Sequence, residues 1–338
     1  MSVSITEIAK RLNVSHSTVS RVLNGRGKQY ASEQTARQIR DLAVELNYRP
    51  NRLASGLLRG KTNLIGVAMG RCNSSYAGGI LEGVRAACED IGYQVLLGRA
   101  KNDELSESKQ VRLLLDYKVD GLICVADGWG HERILHWLDE VVMRDLPCAV
   151  IDSRAYADRV DCVVTDDVAG AAMATRHLIE LGHRRIAHVG GGDIRTTSTD
   201  RRNGYLRALA DAGIASDPAL IQGCAYSKES ATAAIQTILE VRPLPTAVFV
   251  ASDGDAYWVW QTLNDRGIRV PDDIALVGYG NLDVGLGLGL TTVDQAPQTL
   301  GAMAVKRVLN RIDRPGAPHE VVELNTQLIV RRSSAARA

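Results

Sequence analysis

From Leu64 onward, apolar runs of strand length alternate with longer amphipathic segments, and this alternation constrains the fold more than any other feature. Strands that alternate with helices form βαβ units, in which the strands pair in parallel and the helices cover both faces of the sheet. The pattern restarts near residue 161, after a short extended stretch. The restart predicts two such sheets, one in each of two lobes.

Eight strands and eight helices make up this alternation, with three further strands toward the C-terminus. The predicted strands span residues 64–69, 94–97, 121–125, 148–151, 161–165, 185–189, 247–251 and 274–277, followed by a strand in the section that begins LTTVDQ and later by 321–324 and 327–330. The predicted helices span residues 77–91, 104–117, 131–144, 168–181, 200–212, 228–241, 256–266 and about 298–312. Ligands of doubly wound sheets bind beyond the carboxyl ends of the strands, so we expect a binding site between the lobes.

The stretch before this body, residues 5–24, has the pattern of two short helices joined by a tight turn. Ser4 and Glu7 fit a capping box, in which each side chain satisfies a free backbone amide. Asn13 suits the left-handed conformation that ends a helix, and Ser15 is a candidate N-cap for the second helix. The second helix keeps polar side chains for its outer face, namely His16, Ser17, Ser20 and Arg21. Such a face suits the major groove of DNA, although an ordinary helical hairpin has the same pattern.

Residues 32–46 predict a third helix, and Pro50 stops any continuation of it. The segment after Pro50 is basic and contains glycines, so a helix there is unstable by itself. A helix that forms only on DNA would have this composition, with Leu57 inserted into a minor-groove step and Arg52 and Arg59 facing phosphates. A flexible basic linker is the alternative interpretation.

The charge distribution separates the N-terminal segment from the rest of the chain. Residues 1–61 contain 11 Lys or Arg and 4 Asp or Glu, a net charge of +7, whereas the remaining residues carry −6. A small basic head on an acidic body is the electrostatic pattern of a nucleic-acid-binding protein, and a solvated basic surface is the less specific interpretation. Because no apolar run reaches about 18 residues and no apolar signal core is present, we expect a cytoplasmic protein that binds no membrane.

The sequence lacks the residue patterns of common enzyme and metal sites. The six cysteines are scattered, and we expect them to be small core residues. His177, His183 and His188 lack the spacing of metal ligands, so we expect ordinary surface and C-terminal histidines. Asp166 and Asp167 are paired carboxylates, but aspartates directly before a helix act as caps. No GxSxG, dinucleotide motif or complete phosphate loop occurs, and we predict no enzyme, metal or cofactor.

Seven motifs, taken in order, resemble one protein family. They are VSHSTVSRVLN, ELNYRPNRLA, RGKTNLIGV, HLIELGHRRIAHVGG, RRNGYLRALADAGI, VPDDIALVGYG and LTTVDQ, and the similarity covers nearly all of residues 3–333. On these motifs the chain resembles the LacI/GalR family of transcriptional regulators. The resemblance implies a small all-α helix-turn-helix domain and two doubly wound parallel-sheet lobes of the α/β class, similar to periplasmic binding proteins. It also implies a homodimer, a pseudo-palindromic double-stranded DNA operator and a small-molecule effector.

The resemblance also assigns DNA contacts to individual residues. His16, Ser17 and Arg21 match positions that read base edges, and an arginine suits guanine through two parallel hydrogen bonds. Leu57 matches the side chain inserted into the minor groove, and Ala54 matches the face where two hinge helices pack. Candidates for phosphate contacts are Thr6, Ser15, Thr18, Asn24 and Tyr48. The loop GRGKQYAS is longer than is usual in the family, and its Arg26 and Lys28 are further candidates.

Positions in the body resemble the effector pocket of the family. Arg201, in the RRNGY motif, matches the arginine that holds polar effectors from one lobe. Tyr76, Arg195, Thr197 and Tyr226 resemble pocket positions in the purine-binding branch, where an aromatic ring stacks on the base. Simple core packing is the alternative for each aromatic residue.

Two positions depart from the family pattern. Gly280 follows VGY where the family usually has Asp or Asn, and Ser252 stands before Asp253 where the family often has Asn. Both changes remove directional hydrogen bonds on which sugar recognition relies. Either the effector is unusual, or Asn281, Asp253 and Asp127 replace the missing groups. We expect a sugar or a sugar derivative as the effector, and a purine is the second choice.

The predicted domain boundaries follow from these elements. Residues 1–49 form the helix-turn-helix domain, residues 50–62 the hinge helix and linker, and residues 63–338 the effector-binding and dimerisation domain. The N-lobe takes about 63–160 and 292–318, and the C-lobe about 161–291 and 319–333. The predicted function is a sequence-specific repressor whose operator affinity depends on the effector. The alternative, a solute-binding protein without a DNA role, is disfavoured by the head with its charge of +7.

Overall fold

The computed structural model describes residues 4–23, 29–48, 60–70, 74–101, 104–126, 131–191, 196–224 and 226–334. The chain forms two compact units, Met1–Asn63 and Leu64–Ala338. Among the described residues, the first unit contains helices and no strands, and the second contains two parallel sheets. The predicted fold class, a small helical domain followed by two doubly wound α/β lobes, is confirmed.

The described part of the N-terminal unit, which we call the head, contains three helices around one small core. These are α1 (Ile5–Arg11), α2 (His16–Leu23) and α3 (Glu33–Glu45). Each helix contributes a β-branched side chain with no exposed area, Ile8 from α1, Val19 from α2 and Ile39 from α3. Burying a side chain of this kind stabilises a fold by about 1.5–3 kcal/mol, so three short helices can hold one another in place.

Of the two N-caps predicted in the head, one is present in the structure and the other is not. The Ser15 hydroxyl accepts a hydrogen bond from the Thr18 amide at 3.0 Å, as expected for the N-cap of α2. Ser4 occupies the N-cap position of α1, but its side chain makes no capping hydrogen bond. The predicted capping box is therefore wrong. The Glu7 carboxylate instead accepts a hydrogen bond from Arg11, one turn later, at 2.9 Å.

The first sheet of the body contains six parallel strands in the order β11-β5-β4-β3-β1-β2. These strands are β1 (Leu64–Met69), β2 (Gln94–Arg99), β3 (Gly121–Val125), β4 (Cys148–Ile151), β5 (Asp161–Thr165) and β11 (Val321–Leu324). Four helices pack on this sheet, α4 (Ser75–Asp90) and α12 (Pro297–Asp313) on one face, and α5 (Glu104–Asp116) and α6 (His131–Met143) on the other. Because both faces are covered, the central strands β1, β3 and β4 are continuous apolar runs.

The second sheet contains four parallel strands in the order β7-β6-β8-β9. They are β6 (Ile186–Gly191), β7 (Ile221–Cys224), β8 (Ala247–Val250) and β9 (Ala275–Val277). Helices α7 (Asp167–Glu180) and α8 (Thr196–Asp211) cover one face, and α9 (Lys228–Glu240) and α10 (Asp253–Asp265) cover the other. A short helix, α11 (Asp283–Leu288), follows, and β10 (Thr292–Asp294) pairs antiparallel with β12 (Gln327–Ile329). The sequence did not predict β7 or α11, because their glycines interrupt the apolar pattern.

The boundary between the lobes differs from the predicted one. Val150 of β4 pairs with Cys162 of β5, and Val163 of β5 pairs with Val322 of β11, so β5 and β11 belong to the first sheet. The assignment of 161–165 and 321–324 to the C-lobe is therefore wrong. The assignment of 292–294 to the N-lobe is also wrong, because Val293 of β10 packs in the core of the second lobe. The stretch between β4 and β5 contains no helix, which made β5 resemble the start of a new lobe. The chain crosses between the lobes after β5, after β10 and after β11.

The cysteines of the described part of the chain are free and buried, as predicted for core residues. They are Cys88, Cys124, Cys148, Cys162 and Cys224, and Cys72 lies outside the described residues. Burial raises the pKa of the Cys88 thiol to about 11, so its thiol stays protonated at neutral pH. No helix of the described part of the chain has both the length and the hydrophobicity needed to cross a bilayer.

Candidate functional site

The outer face of α2 carries the residues predicted to read base edges. His16, Ser17 and Arg21 are exposed, whereas Val19 and Val22 of the same helix are buried in the head core. This separation follows from helical periodicity, which places the two valines on one side and the polar residues on the other. The polar face has no role in the core of the head, and its donors and acceptors are accessible to an external partner.

The turn before α2 fixes where this face begins. Asn13 adopts the left-handed conformation with a φ of 49°, as predicted for the residue that ends α1. The Ser15 hydroxyl, besides capping α2, lies 2.7 Å from the Ser17 hydroxyl and 2.8 Å from the Thr18 hydroxyl. These three hydroxyls form one hydrogen-bonded group at the N-terminus of α2, where the helix dipole favours an anion.

The guanidinium of Arg21 lies over an aromatic ring. Its Cζ atom is 3.9 Å from the centroid of the Tyr30 ring, and Tyr30 belongs to the segment between α2 and α3. This is within the distance at which a cation is attracted to the face of an aromatic ring. The sequence did not single out Tyr30.

The remaining predicted DNA contacts fall into two groups. Thr6 is exposed on α1, and Tyr48 is half-buried against the head core after the end of α3. Asn24, Arg52, Ala54 and Leu57 lie outside the described residues.

A cavity of about 140 Å³ lies between the two lobes of the body. The first lobe contributes Tyr76, from the first turn of α4, and Asp152, which follows β4 directly. The second lobe contributes Thr197 and Arg201 from α8, together with Tyr226, which follows β7 closely. Four of the predicted effector residues therefore line one cavity, in the expected position beyond the carboxyl ends of the strands. Asp127 and Arg195 lie outside the described residues.

Tyr76 and Asp152 form a fixed pair in the wall of this cavity. The Tyr76 hydroxyl donates to both carboxylate oxygens of Asp152, at 2.7 and 2.9 Å. Burial and the adjacent Asp152 carboxylate raise the pKa of Tyr76 well above its usual value, so the hydroxyl remains a donor. Asp152 has a φ of 65°, and residues other than glycine in this conformation are frequent at functional sites.

On the opposite side, Arg201 is held by a buried carboxylate and an aromatic ring. Its Nε and Nη2 atoms each donate to Asp167 Oδ1 at 3.3 Å, and Nη1 donates to the Ala251 carbonyl at 2.8 Å. The Tyr279 hydroxyl donates to the same Asp167 oxygen at 2.7 Å. Burial opposes the charge on Arg201, but the Asp167 carboxylate holds the pKa of Arg201 above its usual range. The guanidinium is thus fixed with one face toward Tyr279 and is buried in the cavity wall.

The predicted capping role of the two aspartates before α7 applies to only one of them. Asp166 is the N-cap, and its carboxylate accepts a hydrogen bond from the Ala169 amide at 2.8 Å. Asp167 is instead buried and pairs with Arg201. The prediction for Asp167 is wrong because its partners, Arg201 and Tyr279, are distant in the sequence.

Asp253 and Asn281 do not line the cavity, contrary to the prediction. Asp253 has no exposed area, and its carboxylate accepts hydrogen bonds from the Leu282 amide at 2.8 Å and the Thr292 hydroxyl at 2.7 Å. Burial raises the pKa of Asp253 to about 6. The Asn281 side-chain oxygen accepts a hydrogen bond from Arg331 at 2.7 Å. Both side chains therefore stabilise the second lobe.

The two departures from the family pattern both lie in the cavity wall. Gly280 has a φ of 121°, a conformation that residues with side chains rarely adopt, which explains a glycine at this position. Ser252 lines the cavity and caps α10, its hydroxyl accepting a hydrogen bond from the Gly254 amide at 3.2 Å.

A second cavity, of about 260 Å³, adjoins the first and shares Asp152 and Thr197 with it. Its charged lining residues are Asp152, Arg154, Asp167 and Asp200. Arg154 forms an ion pair with Glu323, which offsets its positive charge. Burial, together with the Asp167 carboxylate, raises the pKa of Asp200. Among the described residues that line this cavity, carboxylates therefore outnumber cationic groups.

Several cavity residues were missed by the sequence reasoning. Asp152 follows β4, Gln295 follows β10, and Tyr279 follows β9 after a single glycine. For Asp152 and Tyr279, the position just after a predicted parallel strand is the signal that could have found them.

His188 also differs from its prediction as an ordinary surface histidine. It is 1% exposed in β6, and its ring stacks on Tyr205 and Phe249 with centroid distances of 5.1 and 5.2 Å. Because the second sheet is covered on both faces, a residue in the middle of β6 has no route to solvent.

Comparisons with known proteins match both units of the chain. The sequence profile described as bacterial regulatory proteins, lacI family, matches residues 4–51, and that of the periplasmic binding protein-like domain matches residues 175–334. The HTH-type transcriptional repressor PurR of Escherichia coli O139:H28 is 33% identical over 335 residues, covering 98% of this chain and 97% of its own. PurR of Histophilus somni (strain 129Pt) is 30% identical over 332 residues and covers 98% of both chains.

Solved structures agree with these matches. The lac repressor dimer bound to operator and the anti-inducer ONPF has a TM-score of 0.87 and 25% identity, and the match covers 99% of this chain and 100% of that one. The transcriptional regulator CelR in complex with cellobiose has a TM-score of 0.74 and 27% identity, covering 98% and 100%. The relatives extend over head and body alike, and the chain is therefore a member of the LacI family, a DNA-binding transcriptional repressor with an effector-binding domain.

Proposed function

We propose that this repressor binds a pseudo-palindromic operator as a homodimer, and that a neutral sugar or sugar derivative in the interlobe cavity controls its operator affinity. The observation that carries the proposal is the cavity itself, which takes fixed polar groups from both lobes. A ligand that contacts both lobes binds one lobe arrangement more tightly than another, and this difference shifts the population of arrangements.

In the head, the proposed DNA contacts are the exposed residues of α2. His16, Ser17 and Arg21 would meet base edges, and the hydroxyls at the start of α2 would meet a phosphate at the helix N-terminus. Residues 1–49 would form the DNA-binding domain and residues 50–62 the hinge, with Leu57 inserted into the minor groove and Ala54 at the contact between two hinges. A symmetric dimer would then read two half-sites related by the two-fold axis of the DNA.

The lining of the cavity favours a ligand with apolar faces and hydroxyl edges. The hydroxyls of Tyr76, Tyr226 and Tyr279 are all bonded within the protein, that of Tyr226 lying 2.6 Å from the Ser198 hydroxyl. Because Tyr279 is 1% exposed and Arg201 covers one face of its ring, a ligand would meet mainly the ring surface of Tyr76 and Tyr226. A sugar ring combines apolar faces with a rim of hydroxyls, and the Asp152 carboxylate can accept hydrogen bonds from such a rim.

The charge of the cleft disfavours an anionic ligand. Among the described residues that line the first cavity, Arg201 is the one cationic residue, and Asp167 already neutralises it. Asp152 and Asp200 add negative charge nearby, and Arg154 is offset by Glu323. Placing a phosphate beside buried carboxylates costs free energy through both desolvation and repulsion. A sugar phosphate should therefore bind more weakly than the corresponding neutral sugar.

A direct contact between the lobes lies beside the cavity. The Ser75 hydroxyl, in the first lobe, accepts a hydrogen bond from the Asp283 amide, in the second lobe, at 3.1 Å. Ser75 directly precedes Tyr76, and Asp283 directly follows the cavity residue Leu282. A ligand that displaces either neighbour would change this contact, which couples occupancy of the cavity to the arrangement of the lobes.

The DNA part of the proposal is tested by selecting operators from a random library with the full-length protein. We expect a pseudo-palindromic sequence whose affinity falls by roughly 10³–10⁵-fold between 50 and 200 mM salt, as six to ten phosphate contacts require. Leu57→Ala should weaken binding to the selected operator and leave nonspecific binding largely intact. Equal losses on both DNAs would contradict the proposed minor-groove insertion, and an affinity independent of salt would contradict the role of the basic head.

The effector part is tested by thermal melts against neutral sugars, their phosphates and purines. A ligand at 100 times its dissociation constant stabilises the folded protein by about 2.7 kcal/mol. We expect a neutral sugar to raise the melting temperature, Tyr76→Phe to reduce this shift, and the exposed Tyr117→Phe to leave it unchanged. A shift with a purine alone would mean that the effector is a base stacked on the tyrosine rings and not a sugar. A shift with a sugar phosphate alone would contradict the argument that the charge of the cleft disfavours an anion.

A further inference from the structure

We infer that Tyr30 positions Arg21 for the recognition of a guanine edge, and this inference rests on the proposed DNA-binding role of α2. The two side chains come from different parts of the head, Arg21 from α2 and Tyr30 from the segment that precedes α3. The Arg21 Cζ atom lies 3.9 Å from the centroid of the Tyr30 ring. This contact places the guanidinium against the ring.

Stacking on Tyr30 is compatible with base recognition because it uses a different part of the arginine. The guanidinium is planar, and its N–H donors all point outward in that plane. An aromatic ring below the plane covers one face and leaves the edge donors available. Two of these donors can then meet the two acceptors of guanine in the major groove.

The other paired arginines of the head lack this arrangement. Arg11 forms an ion pair with Glu7 at 2.9 Å, and Arg37 lies 3.9 Å from Asp41. Among the residues that the structure describes, no carboxylate pairs with Arg21, whose contact is the Tyr30 ring. Arg21 therefore keeps its positive charge and its edge donors for an external partner, while its long side chain is restrained.

Tyr30 makes this contact without belonging to the head core. Its side chain is 47% exposed, and it is absent from the cluster of apolar residues that holds the three helices together. An exposed aromatic residue outside the core has a small structural role. Its ring instead restricts the rotamers of Arg21 before DNA arrives, which reduces the entropy that binding must remove.

The test uses full-length protein and an operator selected with the wild type, together with a copy in which the guanine most sensitive to Arg21→Lys is replaced. Tyr30→Phe keeps the ring, and Tyr30→Leu removes it at similar size. We expect Tyr30→Leu to reduce discrimination between the two operators by roughly two- to fivefold, the range of an exposed cation–π contact. Tyr30→Phe should preserve the discrimination, and affinity for nonspecific DNA should be the same in both variants.

A double-mutant cycle separates positioning from a general structural effect. In the Arg21→Met background, Tyr30→Leu should have no further effect on discrimination, because the cation that the ring attracts and orients is gone. Equal loss in Tyr30→Phe and Tyr30→Leu, increased affinity in Tyr30→Leu, or additive losses in the cycle would overturn the inference and leave the DNA-binding proposal intact. Failure of the wild type to select any sequence would overturn both.

Discussion

Arg201 lies against the ring of Tyr279, with its Cζ atom 4.0 Å from the ring centroid, and both side chains donate hydrogen bonds to Asp167. Asp167 begins α7, directly after the crossing from the first lobe to the second, whereas Arg201 and Tyr279 lie within the second lobe. One buried carboxylate therefore holds both the cationic and an aromatic part of the cavity wall. Its removal would leave the Arg201 charge buried without a counter-charge.

We predict that Asp167→Asn lowers the free energy of unfolding of the body by about 3–5 kcal/mol, the usual cost of breaking a buried ion pair from one side. Arg201 is only 8% exposed and cannot regain solvation without a change of structure. Chemical denaturation of the full chain measures the effect.

The adjacent Asp166 provides the matched control. Asp166→Asn retains an oxygen that can cap α7, so it should cost less than about 1 kcal/mol. Similar losses in the two variants would contradict the assignment of Asp167 to the Arg201 pair. They would indicate instead that both aspartates act on the helix start.

His188 should make the stability of the body depend on pH. Its ring is buried, and Nδ1–H donates a hydrogen bond to the Phe249 carbonyl oxygen at 3.2 Å. Burial lowers the pKa of His188 to about 4, against about 6.5 in the unfolded chain. Between these values the unfolded state binds a proton that the folded state does not, so stability falls as the pH falls from 6.5 to 4.

The expected contribution is about 3 kcal/mol over that interval, at 1.36 kcal/mol for each unit of pKa. In His188→Phe this dependence should disappear, which leaves a flatter stability profile between pH 4 and 6.5 whatever the absolute stability of the variant. Urea denaturation at several pH values gives the profile. Parallel profiles for the variant and the wild type would show that His188 is not buried in its neutral form.

Asp253 should have the opposite effect to His188, lowering the stability of the body as the pH rises over a similar range. Burial raises its pKa to about 6, against about 3.9 in the unfolded chain, although the Thr292 hydroxyl and the Leu282 amide favour the charged form. The folded state therefore holds a proton that the unfolded state releases between pH 4 and 6. The contribution of Asp253 to stability falls as the pH rises through this range.

Asp253→Asn removes this titration, and the comparison with the wild type should depend on pH. The difference in unfolding free energy should move in favour of the variant by up to about 3 kcal/mol between pH 4 and pH 7. The absolute unfolding free energy of the variant also reflects the changed hydrogen bonds to Thr292 and Leu282. The pH dependence of the difference is therefore the informative quantity. A difference that stays constant with pH would contradict the raised pKa.

Local features of the chain could be predicted well from the sequence. The N-cap at Ser15, the turn at Asn13 and the cap at Asp166 depend on residues within four positions of one another. Helical periodicity likewise placed Val19 in the head core and Arg21 outside it. Interactions of this kind are decided by the backbone conformation of a single turn, which is why sequence patterns report them.

Roles that depend on distant partners could not be predicted in this way. Asp167 and Tyr279 are 112 residues apart, and Asn281 and Arg331 are 50 residues apart. A sequence pattern shows that a carboxylate or an amide is present, but not which groups of the folded protein form hydrogen bonds with it. The predicted lobe boundary was wrong for the same reason, because only the strand pairing shows that β5 belongs to the first sheet.

At Gly83 and Gly301 the backbones of α4 and α12 lie in close contact. A Cβ atom at Gly83 would overlap the carbonyl of Gln298, and one at Gly301 would overlap the carbonyl of Ile80. Both obstacles are backbone atoms, which cannot move away by a change of rotamer. The two helices can therefore pack at this distance only with glycine at both positions.

We predict that Gly83→Ala destabilises the body by about 1–3 kcal/mol, since the helices must separate to admit the methyl group. On the same helix, a Cβ atom added at Gly78 would have no other atom within 4 Å. Gly78→Ala should therefore stabilise the body by about 0.5–1 kcal/mol, because alanine has the higher helix propensity. Both effects are measured by denaturant unfolding of the full chain. Because the two substitutions make the same chemical change on one helix, opposite signs isolate the helix contact. Equal stabilisation in both would mean that α4 and α12 do not approach at Gly83.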